Sequence, residues 1–579
     1  MKIWSFIGAL SLLCASEAYA QHRIAFISDA HIQNIVDYPE LVRSMEVQVQ
    51  STRLFNENYY ALIAALEDAA KRGITLVVLP GDLTDNGQFV NQEKIKEILD
   101  SYRERFGMKF FVTTGNHDPV RPFGMQNEEH DFLRPDGSRT TRENRCAGYA
   151  DEMQCYAAFG FYPQPEYLYW ETPFTSYQYA DYNYQEALSE GALDKRRYTL
   201  CDSLEAIDAS YLVEPVEGLW LLAIDGGVYL PGEVKNGVQT YEGSSVGYNN
   251  VLAHKAFLLP WVRKVASEAK KRNKILVAYS HYPLADFNDG ASDIVRKAWG
   301  NKKFDLHRVP SEEVTEAFLE AGIRLHVAGH MHVNDTGIKR GKNGKCLYNI
   351  QVPSIATCIP AYKILTAEDA MRFEVETVLV DSVPGFDSLF GLYKKEYEYD
   401  VRAGKKPNWS REALDSKDYA EFCDWQFRDL VRVRFIPKDL PEIVRKKAVS
   451  MSGSQLVAYA EGKRMEADAG SDWSGYDVIL DLYRLRYADK LALRWIPEKR
   501  MEEYRILFDA VRKSEADDEL ILRLREIADI FECFLNGEPS GHFRIDLEKD
   551  RIDSKCVIEI KQASLADEAC FIGERTLLC

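Results

Sequence analysis

Leu76-Val77-Val78-Leu79-Pro80-Gly81-Asp82-Leu83-Thr84-Asp85 is an apolar run that stops at a proline and a glycine and then delivers two carboxylates. The run has the length and bulk of a buried strand, and the acids stand just past its end. The same construction recurs four times. Residues 23–28 lead into Asp29-Ala30-His31, and 109–114 into Gly115-Asn116-His117-Asp118. Residues 274–279 lead into Ser280-His281, and 323–328 into Gly329-His330-Met331-His332. In open α/β sheets ligands bind beyond the carboxyl ends of the strands, so five such ends can converge on one crevice.

Between the early strands the apolar period becomes helical. Leu54, Leu62, Leu66 and Ala69 recur at helical steps across 54–71, with Gly73 beyond, and Ile95 and Ile98 share a face of 91–105 before Gly107. Strand, helix, strand, helix, strand predicts a parallel sheet at the front of the chain. Another buried strand is predicted at 219–224, with Asp225 read as its turn residue, and the runs 346–356 and 371–380 are expected in a second sheet.

Taken in this order, the five motifs resemble the calcineurin-like metallophosphoesterase family, over roughly residues 23–360. The resemblance implies an α/β fold: a two-sheet β-sandwich flanked by helices. It also implies hydrolysis of phosphate mono- or diesters at two divalent metal ions (Mn, Fe or Zn), about 3.5–4 Å apart, with a metal-bridging hydroxide as nucleophile. Asp82 becomes the bridge between the ions. Asp29, His31 and His332 complete one site, and Asn116, His281 and His330 the other. His117 is left as an uncoordinated acid for the leaving oxygen, with Asp85 holding its tautomer. For Asp118 a turn-stabilising hydrogen bond is an equal reading. Purple acid phosphatases have tyrosine at the position of Asp85, and serine/threonine protein phosphatases carry arginines beside the second and third motifs. Neither feature occurs here. The Gly-Asn-His-Asp form is similar to small-molecule phosphodiesterases and to the related double-strand-break nucleases.

A chain of 579 residues with 46% hydrophobic and 28% charged residues has the composition of a soluble globular protein of two to four domains. A formal charge of −18 opposes a long polyanion, so a nuclease is disfavoured and a small phosphate ester is the expected partner. A metal-binding or interaction protein that had lost turnover would be expected to show gaps in the ligand set, and the set is full. Lys2, an apolar run over 3–15 and Ala18-Tyr19-Ala20 read as a signal peptide over 1–20, leaving Gln21 first. The chain is therefore expected to be exported, to a periplasm or outside the cell. A lipoprotein signal at Cys14 is disfavoured because Leu13 is not small, and no later run is long and apolar enough to span a membrane.

Ten cysteines remain after residue 20, with Cys146–Cys155, Cys346–Cys358 and Cys570–Cys579 as candidate pairs and free buried thiols as the alternative. Of two sequons, a glycan on Asn334 would crowd the presumed metal mouth, which favours a bacterial periplasm; the other is Asn408. The catalytic domain is expected over 21–385, with an aromatic-rich insertion at 119–210 that includes Trp170 and Tyr177. Those aromatics read either as the core of a small subdomain or as a roof that stacks on substrate. A mainly α-helical C-terminal domain is expected over 386–579, with helices at 424–432, 477–487, 498–511 and 517–535 and short strands within 542–561.

Overall fold

Val77 and Val78 have no exposed surface because their strand is covered on both faces, the environment that a continuous apolar run requires. The computed structural model describes residues 21–554 except 202–203, 236, 465–470 and 517. The expected signal peptide and the Cys570–Cys579 pair lie outside the described residues. The strands of the two main sheets are, in chain order, β1 (His22–Phe26), β2 (Leu76–Leu79), β3 (Lys109–Val112), β4 (Tyr169–Glu171), β5 (Tyr211–Val216), β6 (Leu219–Ala223) and β7 (Ile275–Ser280). They continue with β8 (Leu325–Ala328), β9 (Asp335–Arg340), β10 (Cys346–Gln351), β11 (Ala361–Ala367), β12 (Arg372–Leu379), β13 (His542–Asp546) and β14 (Arg551–Ser554). One seven-stranded sheet runs β14-β13-β12-β11-β1-β2-β3 and the other β9-β10-β8-β7-β6-β5-β4.

β1, β2 and β3 are parallel, as are β6, β7, β8 and β10. The sheets face each other: Phe26 of β1 meets Tyr279 of β7 edge to face at 6.5 Å, and the Tyr211 hydroxyl of β5 donates to the Val112 carbonyl of β3 at 2.7 Å. Helices α1 (Asn58–Lys71) and α2 (Phe89–Phe106) make the early crossovers, and Gly107 ends α2 in the left-handed conformation. Glu57 at the start of α1 is buried and accepts from the Tyr393 hydroxyl at 2.5 Å, while its second oxygen has no donor. Burial pushes its carboxyl up to about 7.

Four open points are decided by the fold. The runs 346–356 and 371–380 do not share a sheet: β10 extends the parallel ladder beside β8, whereas β12 turns back antiparallel to β11 in the first sheet. The candidate bridges Cys146–Cys155 and Cys346–Cys358 are not formed, and all seven described cysteines are free. The Asn334 sequon is unusable in the fold, because its buried amide donates to Ser540 Oγ at 2.9 Å and leaves no room for a glycan. The insertion's aromatics are core: Tyr156, Phe161, Tyr169, Trp170 and Tyr177 are buried, and Trp170 Nε1 donates to the Gly160 carbonyl at 2.9 Å.

Packing also crosses residue 385. The C-terminal region is mainly helical, and its helix Glu519–Leu535 lays Leu524, Ile527, Phe531 and Phe534 into a core shared with Phe287, Met331, Val333 and Ile359. β13 and β14 then rejoin the first sheet beside β12. No described helix is long and apolar enough to cross a membrane.

Candidate metal centre

Asp29, His31, Asp82, His330 and His332 all have φ between 44° and 71°, a conformation that side-chain-bearing residues rarely adopt. Five such residues at the carboxyl ends of β1, β2 and β8 mark a place where backbone strain is held by the surrounding fold. Two glycines are demanded by close approach. A Cβ at Gly115 would lie 2.1 Å from Asp82 Oδ1, and one at Gly329 would lie 2.0 Å from Ser28 Oγ.

The structure gathers these side chains into two buried groups, Asp29 with His31 and His332, and Asp82 with His281 and His330, each with its ligand atoms within 4.8 Å of one another. Each histidine has one ring nitrogen against a backbone carbonyl: His31 Nδ1 on Thr84 at 3.1 Å, His281 Nδ1 on Pro80 at 2.9 Å, His332 Nδ1 on Thr52 at 3.0 Å and His330 Nε2 on Ser245 at 2.9 Å. Those carbonyls accept the ring proton and so fix the tautomer, which leaves the other nitrogen as a lone pair facing inward. The inward nitrogens of His31 and His332 are 3.2 Å apart, and those of His330 and His281 are 3.0 Å apart.

Facing lone pairs without protons between them repel, unless a cation lies in their midst. The donor set of imidazoles, carboxylates and an amide oxygen suits a divalent transition ion in each group. Asp82 Oδ2 lies 3.2 Å from His281 Nε2 and 3.6 Å from His31 Nε2, so one carboxylate faces both groups. Asn116 Oδ1 lies 3.3 Å from His281 Nε2 and can complete that shell.

Electrostatics follow the burial. Burial raises the Asp82 carboxyl, but His281 and His117 outweigh it and hold the group well below the usual carboxylate range. Burial lowers His281, and Asp82 more than reverses this, to about 9, so a metal ion and a proton compete for its inward nitrogen. His31 and His330 stay well below 6.5, through burial and then through Arg53 and Arg308 respectively. Asp118 accepts from the Leu83 and Thr84 amides at 2.8 Å, so it braces the turn that carries Asp82.

Asp85 does not orient His117, contrary to expectation. It is taken by Arg43 and lies 3.4 Å from Arg53 Nη2, while the Asn86 amide oxygen accepts from His117 Nδ1 at 2.8 Å. The physical reason is charge: a buried carboxylate between two guanidiniums has no call to turn towards a neutral imidazole. His117 Nε2 instead accepts from Arg53 Nη1 at 2.9 Å. Burial and Arg53 push His117 down to about 3. Asp225 also stays out of the crevice, ion-paired to Lys255 at 2.8 Å.

A cavity of about 210 Å³ opens over both groups, and its walls include Arg53, His117, Arg308, Arg434 and Tyr487. Among the described residues, none of the insertion lines it. The three arginines were not found by sequence reasoning: each stands in a segment without a motif, and Arg434 and Tyr487 come from the C-terminal helical region. Asn86 had a signal, since it directly follows the second motif.

A family model described as calcineurin-like phosphoesterase matches residues 22–334. Curated protein sequences give no match. Solved structures similar to this chain include a dimetal phosphatase from Danio rerio, at 12% identity over 62% of this chain and 96% of that one, with a TM-score of 0.33. A purple acid phosphatase from yellow lupin (Lupinus luteus) seeds is 10% identical over 62% of this chain and 52% of its own, with a TM-score of 0.31. A 5′-nucleotidase precursor from Thermus thermophilus is 10% identical over 66% and 59%, with a TM-score of 0.28.

Proposed function

The chain belongs to the calcineurin-like phosphoesterase family, and on that premise we propose that it hydrolyses phosphate monoesters with two divalent ions held by Asp29, His31, Asp82, Asn116, His281, His330 and His332. When bound, the ions supply charge neutralisation and a water of lowered pKa. The chain's own residues do the rest. Asp82, facing both groups, fixes their separation, and the four backbone carbonyls behind the histidines keep each lone pair aimed inward. Asn86 holds the His117 ring so that Nε2 points into the cavity, where it would pass a proton to the leaving oxygen after taking one up from water beside the bound phosphate dianion, with Arg53 drawn away to that phosphate.

The observation that carries the choice of monoester is Arg53. Its guanidinium reaches the cavity beside His117, with Asp85 behind it. A monoester has a third anionic oxygen for such a group to bind, whereas in a diester that position bears an alcohol.

The test is metal analysis of the protein from Gln21 onward, with a hydrolysis panel of aryl mono- and diesters under Mn, Zn or Fe. About two ions per chain are expected, with both occupancy and activity lowered in Asp82→Asn. Full activity under a strong chelator, a single ion at saturation, or a preference for diesters would overturn the reading. We also propose export, supported by the leader-like pattern over 1–20. An N-terminus other than Gln21 on the exported protein would refute that cleavage.

A further inference from the structure

We propose that Arg308 and Arg434 form a second anion subsite at the mouth of the cavity, and that the substrate is a phosphate ester with a further phosphoryl group on its alcohol part. The inference rests on the monoesterase reading above and specifies the substrate of that same site.

Both arginines line the cavity together with Arg53, yet they arrive from different parts of the chain. Neither forms an ion pair within 4.0 Å among the described residues, unlike Arg53, which has Asp85. Arg308 Nε is buried with no hydrogen-bond partner, and Arg434 spends only Nη1, on the Gln50 carbonyl at 2.9 Å. The one acid on this rim, Asp305, is already bound by Lys438 at 2.7 Å. A chain with a formal charge of −18 has therefore kept two arginines without a direct ion pair at one opening, where Asp305 is shared electrostatically between Arg308 and Lys438.

Charge accounting shows why the reacting phosphate alone does not use them. Asp29, Asp82 and a monoester dianion together carry four negative charges, which two divalent ions balance. Arg43 is already matched by Asp85, Glu129 and Asp131, which leaves Arg53 to face the reacting group. An attacking hydroxide takes up one more positive charge, and a surplus remains at the mouth, where the alcohol part of the ester must lie. Planar guanidiniums bind phosphoryl oxygens in paired hydrogen bonds, which makes a second phosphoryl group the matching ligand. Arg434 is also held in place for this: the adjoining Phe435 stacks on Tyr483 at 4.6 Å and on Tyr487 at 5.7 Å. A preorganised cation loses little freedom on binding.

The experiment compares a hexose monophosphate with a hexose bisphosphate, using wild type, Arg308→Gln and Arg434→Gln with metals supplied. Wild type should favour the bisphosphate by about 150-fold or more in kcat/KM, and each substitution should shrink that preference by about 10- to 150-fold, the range of a charged hydrogen bond. A second arm uses chelator-stripped protein: inorganic pyrophosphate should raise Tm more than orthophosphate, and the double substitution should abolish the difference. Hydrolysis of pyrophosphate in place of the hexose bisphosphate would assign the subsite to inorganic polyphosphate. If no ester is cleaved under any metal, the monoesterase reading fails while the pyrophosphate arm still decides the subsite. Equal use of mono- and bisphosphate by wild type, or a preference that survives both substitutions, overturns the proposal.

Discussion

Replacing Arg53 by glutamine removes a charge from the cavity while keeping most of the side chain's bulk. Arg53 Nη1 lies 2.9 Å from His117 Nε2 and Nη2 lies 3.4 Å from Asp85 Oδ1, and the side chain is 13% exposed. In so dry a place, one donor aimed at a developing oxyanion is worth about 2.7–4 kcal/mol, or 10²–10³ in rate. In a diester that position bears an alcohol, whose bridging oxygen is a poor acceptor and whose bulk holds the guanidinium off, so most of that contribution is absent. Arg53→Gln should therefore cost aryl monoesters about tenfold or more beyond its cost to aryl diesters. The fold should tolerate the change, because Asp85 retains Arg43. The assay pairs the two ester types at saturating metal, with metal content and Tm measured on the same preparation. Equal losses on both esters, or a loss of bound metal that accounts for them, would refute the reasoning.

Trp170→Ala should lower stability by about 3–5 kcal/mol, as for other large core truncations, with equal effects on small and bulky esters; an unchanged Tm with a selective loss on bulky esters would restore the roof reading. His117→Ala should keep its metals and slow turnover by about 10²–10⁴, less for good leaving groups, whereas a uniform loss would exclude an acid role. Asp85→Asn should act through Arg53 and so penalise monoesters, and Asn86→Ala should reproduce part of the His117 defect; the reverse pattern would restore Asp85 as the partner of His117. Glu57 has a folded value of about 7 against an ordinary 4.5, so its contribution is fully present below pH 4.5 and is lost as pH rises through 7. Glu57→Gln keeps that contribution, and should gain up to about 3 kcal/mol on wild type by pH 8 in denaturant titrations, where parallel stability–pH curves would contradict it.

The two ligand groups were legible because each residue follows its strand directly, so a local pattern of apolar run, glycine and acid or histidine states both element and position. Side-chain direction was not. Asp85 and Asn86 are neighbours, and which of them meets His117 depends on Arg43, whose approach no local pattern announces. The aromatics of 156–184 were visible as a composition, but composition does not say which way a ring faces, and burial against β5 and β6 decided it. Sheet membership of 372–379 was hidden for the same reason: a strand's alternation names its faces, not its neighbour. Arg434 reaches the cavity only through the packing of a helical region that carries no motif of its own.

The hairpin of β13 and β14 has a consequence for how the molecule comes into being. It lies beyond every described helix of the C-terminal region, yet it caps the edge left by β12. A chain still being synthesised has all seven proposed ligand residues in hand long before that cap arrives. Until then β12 presents unpaired amides and carbonyls, the kind of edge that recruits a second chain. A protein cut after Gly541, which keeps the helical region and loses only the hairpin, should show self-association before it shows any defect in chemistry.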